Sequence, residues 1–398
     1  MLSGMMFLLC ISTATTAAKT FNTNRKFLPP PRTTLHQSKL SRFIGDKTSF
    51  FKPNLISAHG EYTPSLTRTV PVEVEPSTLR NRIATSILLA LLWTPLCFAG
   101  KPVLSLALLF PLIQALREFH YFLDNTEGLG SIGRTVGILS AVATCFTACY
   151  DPTLHPLILP LSVVALMLQV LFAKTDLTPT ADITAAAFSF MYINYFMSFW
   201  IRLLDVKAIA FTMLPEMKIG PFSLTSSSFL LWWTVAIIAS ADIGGYVVGR
   251  GFSSRGAGGR AHALAEWRVA GGKASPRKTV EGLLGGTAFA LMTTLLGVYF
   301  LRPLLHFHSS SSAGGASPSM ALGPVFSLLY GVFLTLLALA SDLSVSLWKR
   351  HAGVKDSGSL LPGHGGVLDR MDSYLLTGPG VYVWWTLWSR WGARQAAV

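Results

Sequence analysis

The sequence predicts an all-α polytopic membrane protein of about nine transmembrane helices, and three observations carry that prediction. Hydrophobic residues make up 51% of the 398 positions and charged residues only 13%, and the mean hydropathy is +0.48. Long stretches lack charges altogether, as membrane-crossing helices do and soluble cores do not. A net charge of +13 would suit nucleic acid, but the basic residues are dispersed between apolar runs and no DNA- or RNA-binding module is present, so nucleic acid is excluded as a partner. Cys10, Cys97, Cys145 and Cys149 sit within apolar runs, without zinc-type spacing or a secreted disulfide framework.

Residues 1–75 read as a targeting leader and 76–398 as the membrane domain. Residues 1–18 form a short apolar run ending in small residues, resembling a signal peptide. From Lys19 to Arg68 the chain is rich in Ser, Thr, Pro and basic residues and poor in acids, as organellar transit peptides are. Together they point to a plastid surrounded by extra membranes; the alternative is a disordered basic tail on an endoplasmic-reticulum protein.

Nine apolar stretches follow, at 83–99, 102–116, 135–150, 155–173, 181–200, 229–248, 283–301, 323–340 and 374–391. Loops after the even-numbered stretches hold most of the inter-span basic residues, from Arg117 and Arg134 through Lys174 and the Arg250–Lys278 group to Lys349, Arg350, Lys355 and Arg370. The opposite loops hold Lys101, Arg202, Lys207, Lys218 and Arg302. The positive-inside bias thus places the two most charged loops on one face.

The densest charge lies between the eighth and ninth stretches, from Ser341 to Asp372. Each such charge at a bilayer centre costs about 2.5 to 3.5 kcal/mol, so this interval belongs at a membrane surface or in a watery cavity. Asp342, Ser346 and Lys349, spaced i, i+4 and i+7, share one helical face. Asp369 and Asp372 bring a second pair of carboxylates to the start of the last helix. Carboxylates from two helix ends suit Mg²⁺, which completes its octahedron with water and substrate oxygens. Lys349, Arg350, Lys355 and Arg370 are placed to neutralise phosphate. In Pro362-Gly363-His364-Gly365-Gly366 the glycines let backbone approach a ligand, while His364 either donates to phosphate or packs in the turn.

A second acidic and basic group flanks stretch six. Asp242 and Tyr246 share a face at i, i+4, and an acid at that depth is expected to line a site. Ser275 and Pro276 read as N-cap and first turn of the following helix, an anion-binding end reinforced by Arg277 and Lys278. Glu281 is either a capping acid or a holder of Lys278 or Thr279.

These residues, Ser346 to Arg350, Lys355-Asp356, Leu361 to Gly366 and Asp369-Arg370-Met371-Asp372, resemble the signature of phosphatidate cytidylyltransferases, the CDP-diacylglycerol synthases. Ser275 to Gly282 is similar to that family's second motif, and Arg117-Glu118-Phe119 to a feature early in it. The resemblance implies CTP and phosphatidate as substrates, pyrophosphate as leaving group, and a membrane-embedded enzyme of phospholipid synthesis. It implies catalytic roles for Asp342, Ser346, Lys349 and Asp369, with Mg²⁺ on Asp342 and Asp369 and Asp372 as a further ligand candidate. Asp242, Tyr246, Ser275, Arg277, Lys278, Glu281, Arg350, Lys355, His364, Gly365, Gly366 and Arg370 are expected to bind substrate. A second, monovalent cation and a homodimer are open options. Val345 and Val280 depart from the pattern, standing where many members carry a carboxylate and an aromatic ring.

Two other readings remain: a CTP-dependent kinase of a polyprenol or phytol, and a cation transporter using Asp182 and Asp242. Gly128 to Gly133 matches GxGxxG but follows no strand, so a dinucleotide fold is excluded.

Overall fold

The computed structural model describes residues 79–127, 133–172, 180–206, 217–219, 222–255, 269, 274–275, 278–309, 324–358, 360 and 365–395, all of them in the unit Glu75–Val398. The expected leader, Arg277 and His364 lie outside the described residues. The helices are α1 (Leu79–Phe98), α2 (Lys101–Glu127), α3 (Arg134–Tyr150), α4 (His155–Leu171) and α5 (Thr180–Ser189), which runs through a π-helical turn, Phe190–Tyr195, into α6 (Phe196–Arg202). Then come α7 (Ser226–Arg255), α8 (Val280–Ser309), α9 (Pro324–His351), the short α10 (Leu368–Met371) and α11 (Thr377–Gln395). The described residues of each expected apolar stretch are mainly helical. Lys101–Tyr121, Ser226–Gly249, Val280–Tyr299 and Val325–His351 are long and apolar enough to cross a membrane, and α3 and α4 are shorter apolar helices. Among the described residues the departure from all-helical structure is a hairpin, Met217–Ile219 against Phe222–Leu224, ahead of α7.

The apolar side chains divide into two populations. Leu139, Phe146, Leu157, Leu161, Leu168 and Leu171 of α3 and α4 are exposed, a surface that lipid tails cover in a membrane protein. Trp200, Tyr330, Trp385, Leu230 and Leu104 are fully buried between the helices. Polar side chains tie this interior together. The Thr234 and Tyr330 hydroxyls meet at 2.7 Å between α7 and α9, and Trp200 Nε1 donates to the Tyr374 carbonyl at 3.0 Å.

Helix α7 begins with a reciprocal cap: Thr225 Oγ1 accepts from the Ser228 amide at 3.1 Å, and Ser228 Oγ accepts from the Thr225 amide at 2.8 Å. From that start α7 runs against α8 in the antiparallel sense, with Gly249 and Gly245 beside Gly282, Ala241 beside Gly286 and Trp233 beside Gly297. The absence of side chains lets the two backbones touch. A Cβ added at Gly286 would lie 2.7 Å from the Ala241 carbonyl oxygen, which no rotamer change relieves. This contact matters for the site because α7 carries Asp242 and the segment entering α8 carries Lys278.

Gly286→Val is therefore expected to force α7 from α8 and lower stability by about 1–3 kcal/mol, the usual range for overpacking. Thermal unfolding of the detergent-purified protein measures it. An unchanged midpoint would contradict this packing.

Candidate active site

The last turns of α9 supply the first acid. Ser346 Oγ donates to Asp342 Oδ1 at 3.2 Å, so the i, i+4 pair meets on one face. The Lys278 ammonium, from the segment before α8, forms an ion pair with Asp342 Oδ2. Ser341, fully buried beside it, links α9 to the turn before α11: its hydroxyl donates to the Asp372 carbonyl and accepts from the Leu376 amide at 3.1 Å. Neighbouring positions on one helix thus present a carboxylate and anchor the next one.

Asp372 and Asp242 complete this group. The charges acting on Asp372 are those of Asp342, Lys349, Asp242 and Arg370. Loss of water first, and then the negative charge of Asp342, push the Asp372 carboxyl well above the ordinary carboxylate range, with Lys349 and Arg370 opposing. Lys278 and Ser346 already serve Asp342, so the repulsion falls on Asp372. Asp242 is open to water, its Oδ2 accepts from Ser373 Oγ at 3.3 Å, and it feels Asp342, Lys278 and Arg370. Three carboxylates from α7, α9 and the turn before α11 therefore share one electrostatic neighbourhood.

Among the described residues no three His, Cys, Asp or Glu side chains are gathered closely enough to cage an ion. Mg²⁺ needs no such cage, since one or two carboxylates with water and substrate phosphates satisfy it. Asp342 and Asp372 fit that requirement, and the lysine on Asp342 shows that this carboxylate accepts a cationic partner. Asp369, the other carboxylate expected to hold the ion, likewise has a cationic partner. Its Oδ1 accepts from Lys349 Nζ at 2.7 Å, and its Oδ2 accepts from the Ser357 and Gly366 amides at 2.7 and 3.0 Å. Asp369 holds the loop and the lysine.

The loop between α9 and α10 closes on two carboxylates. Besides Asp369, Glu118 of α2 accepts from Ser357 Oγ at 2.6 Å and from the Val367 and Leu368 amides, each at 2.9 Å. Gly365, with φ of 80°, and Gly366 allow this closure: a Cβ would stand 2.6 Å from Asp369 Oδ2 at Gly365 and 2.3 Å from Glu118 Oε2 at Gly366. The close approach expected of these glycines is thus made to protein carboxylates.

The remaining candidates fall around this core. Arg350, Lys355 and Arg370 are exposed, and Tyr246 is half exposed on the same helix as Asp242. Ser275 is not the N-cap of the next helix. That helix starts at Val280, and Thr279 Oγ1 accepts from the Gly282 amide at 3.1 Å, while the Ser275 carbonyl closes a turn by accepting from the Lys278 amide. The turn closed between Ser275 and Lys278 precedes the helix, and Lys278 reaches Asp342. Among the described residues Glu281 Oε2 is buried without a hydrogen-bond partner. Val345 is fully buried in the apolar core. Glu118 and Ser341 are what sequence reasoning missed. In the sequence Glu118 stands out only within the Arg117-Glu118-Phe119 resemblance, and nothing in its surroundings points to a loop 239 to 250 residues away.

Residues 80–388 match the model of the Cytidylyltransferase family. A phosphatidate cytidylyltransferase of Synechocystis is 28% identical over 313 residues, 76% of this chain and 94% of that protein. One from Bacillus subtilis is 33% identical over 160 residues, 40% of this chain and 48% of the relative. Phosphatidate cytidylyltransferase 4, chloroplastic, of Arabidopsis thaliana is 32% identical over 209 residues, 51% of this chain and 45% of the relative. The family match takes in α7, α8, α9 and the loop that closes on Glu118 and Asp369, and on that footing the chain belongs to the cytidylyltransferase family.

Proposed function

We propose that the chain transfers the cytidylyl group of CTP to phosphatidate, forming CDP-diacylglycerol and pyrophosphate. The observation that carries this reading is the convergence of Asp342, Asp372 and Asp242 with Lys278, Lys349 and Arg370 beside a loop of exposed basic residues. A phosphatidate oxygen attacks the α-phosphorus of CTP; the new P–O bond forms as the bond to the β-phosphate oxygen breaks, and pyrophosphate leaves with that electron pair. Such a displacement needs positioning and charge neutralisation rather than a protein nucleophile. Asp342 and Asp372 would hold Mg²⁺, which when bound neutralises charge on the phosphates and the departing pyrophosphate. Lys349, held at Asp369, is a fixed cation for phosphate, and Lys278 becomes free for the triphosphate once Asp342 has another partner. Arg350, Lys355 and Arg370 meet the nucleotide from the aqueous side, and Asp242, open to water, is placed for a second, monovalent cation. The chloroplastic relatives and the transit-like leader support a plastid membrane.

Position-specific labelling tests the reaction with purified full chain, Mg²⁺ and phosphatidate. Label from the α-phosphate of CTP is expected in lipid and label from the γ-phosphate in pyrophosphate; γ-label in lipid would instead make the protein a kinase and overturn the proposal. Asp342→Asn should lower lipid labelling by at least about 100-fold, the scale of losing one preorganised electrostatic contribution.

Asp372 gives a test on stability. A carboxyl whose folded value is raised leaves the fold unpenalised below the ordinary carboxylate range, loses stability as pH rises toward the raised value, and carries the full penalty above it. At neutral pH Asp372→Asn should therefore raise the metal-free thermal midpoint, on the order of 3 °C, and weaken stabilisation by Mg²⁺. A lowered midpoint with Mg²⁺ stabilisation intact would remove Asp372 from the ion site.

A further inference from the structure

Glu118 is 6% exposed and has no ion pair among the described residues. A carboxylate in such a place is costly unless donors replace its water. Three do: the Ser357 hydroxyl at 2.6 Å and the Leu368 amide at 2.9 Å on Oε2, and the Val367 amide at 2.9 Å on Oε1. All three partners donate, so both oxygens of residue 118 must accept. A carboxyl group offers two acceptor oxygens for this, whereas a glutamine would turn its NH₂ toward one of the donors. The loop leaves no space for anything larger either, because a Cβ at Gly358 or Gly366 would stand 3.1 or 2.3 Å from the Glu118 oxygens.

From Glu118 the contacts run to the reacting region through named bonds. Ser357 donates its hydroxyl to Glu118, accepts from the Asp369 amide at 3.3 Å, and gives its own amide to Asp369 Oδ2 at 2.7 Å. Asp369 then fixes Lys349 at 2.7 Å. The Val367 and Leu368 amides held by Glu118 open α10, and Asp372 follows that helix directly.

Resting on the cytidylyl-transfer reading above, we infer that Glu118 is a positioning residue of the reaction: through Ser357 and the start of α10 it sets where Lys349 and Asp372 stand, although it touches neither substrate nor ion. Substrates are thereby met by a preformed loop, so Glu118 acts on turnover more than on folding. An acid early in the chain thus anchors a loop near its other end.

Glu118→Gln and Ser357→Ala in the full-length protein test this. Hydrogen exchange of the metal-free protein is expected to speed up about 10-fold or more at Ser357, Val367 and Leu368, with α7 and α8 still protected. With substrates, kcat should fall about 100-fold, the scale of an ångström-sized misplacement, with a smaller change in KM for CTP. The double variant should be little worse than Glu118→Gln alone, because both act through one contact. Ser357→Ala, which deletes a single donor, keeps the test available if Glu118→Gln does not fold. Unchanged exchange at those amides, or faster exchange throughout the helices with kcat preserved, would overturn the inference. If the wild-type chain puts no α-label into lipid, the reaction assigned above is what fails, and the exchange result still decides whether Glu118 holds the loop.

Discussion

Negative charge gathered at the end of an apolar bundle must be neutralised locally, and the placement of nearly every polar group near the site follows from that requirement. Asp369 and Glu118 are satisfied within the fold, one by Lys349 and two backbone amides, the other by a hydroxyl and two amides. Asp342 has Lys278 and Ser346. Asp372 is left with repulsion from Asp342 and Asp242 that Lys349 and Arg370 offset only in part. Carboxylates satisfied by backbone amides stabilise the loop, whereas mutual repulsion is relieved when a cation joins the group.

This division explains why the scaffold is built as it is. The glycine contact of α7 with α8 brings Asp242 and Lys278 to one place, and Ser341 stitches α9 to the turn carrying Asp372. Asp242 and Asp342 come from different helices, so their separation is set by helix packing, and Asp372 joins them from the turn that Ser341 holds. A site made this way is preorganised before substrate arrives, which suits a reaction that relies on positioned charge.

Much of this was legible in the chain. Apolar runs marked the helices because bilayer thickness imposes their length, and the crowding of charge from Ser341 to Asp372 marked the site because charge is rare elsewhere. The i, i+4 meeting of Asp342 and Ser346 followed from helix geometry alone. What was not legible depends on contacts across the fold. Asp369 and Asp372 are equivalent as letters, and only the loop's closure decides that the first accepts from backbone amides while the second feels the charge of Asp342. The cap is Thr279 rather than Ser275, because the Ser275 carbonyl is engaged by the Lys278 amide, which spacing alone does not reveal. Glu118 left no local trace of its role because its partners lie in a distant loop.

The central claim is that acids from separate helices hold one divalent cation beside Lys278 and Lys349. Anomalous diffraction from crystals of the protein grown with Mn²⁺ in place of Mg²⁺ tests it most directly. The account predicts a peak at ligand distance, about 2.1 Å, from carboxylate oxygens of both Asp342 and Asp372. A peak that contacts neither residue, with Lys278 still seated on Asp342, would contradict it.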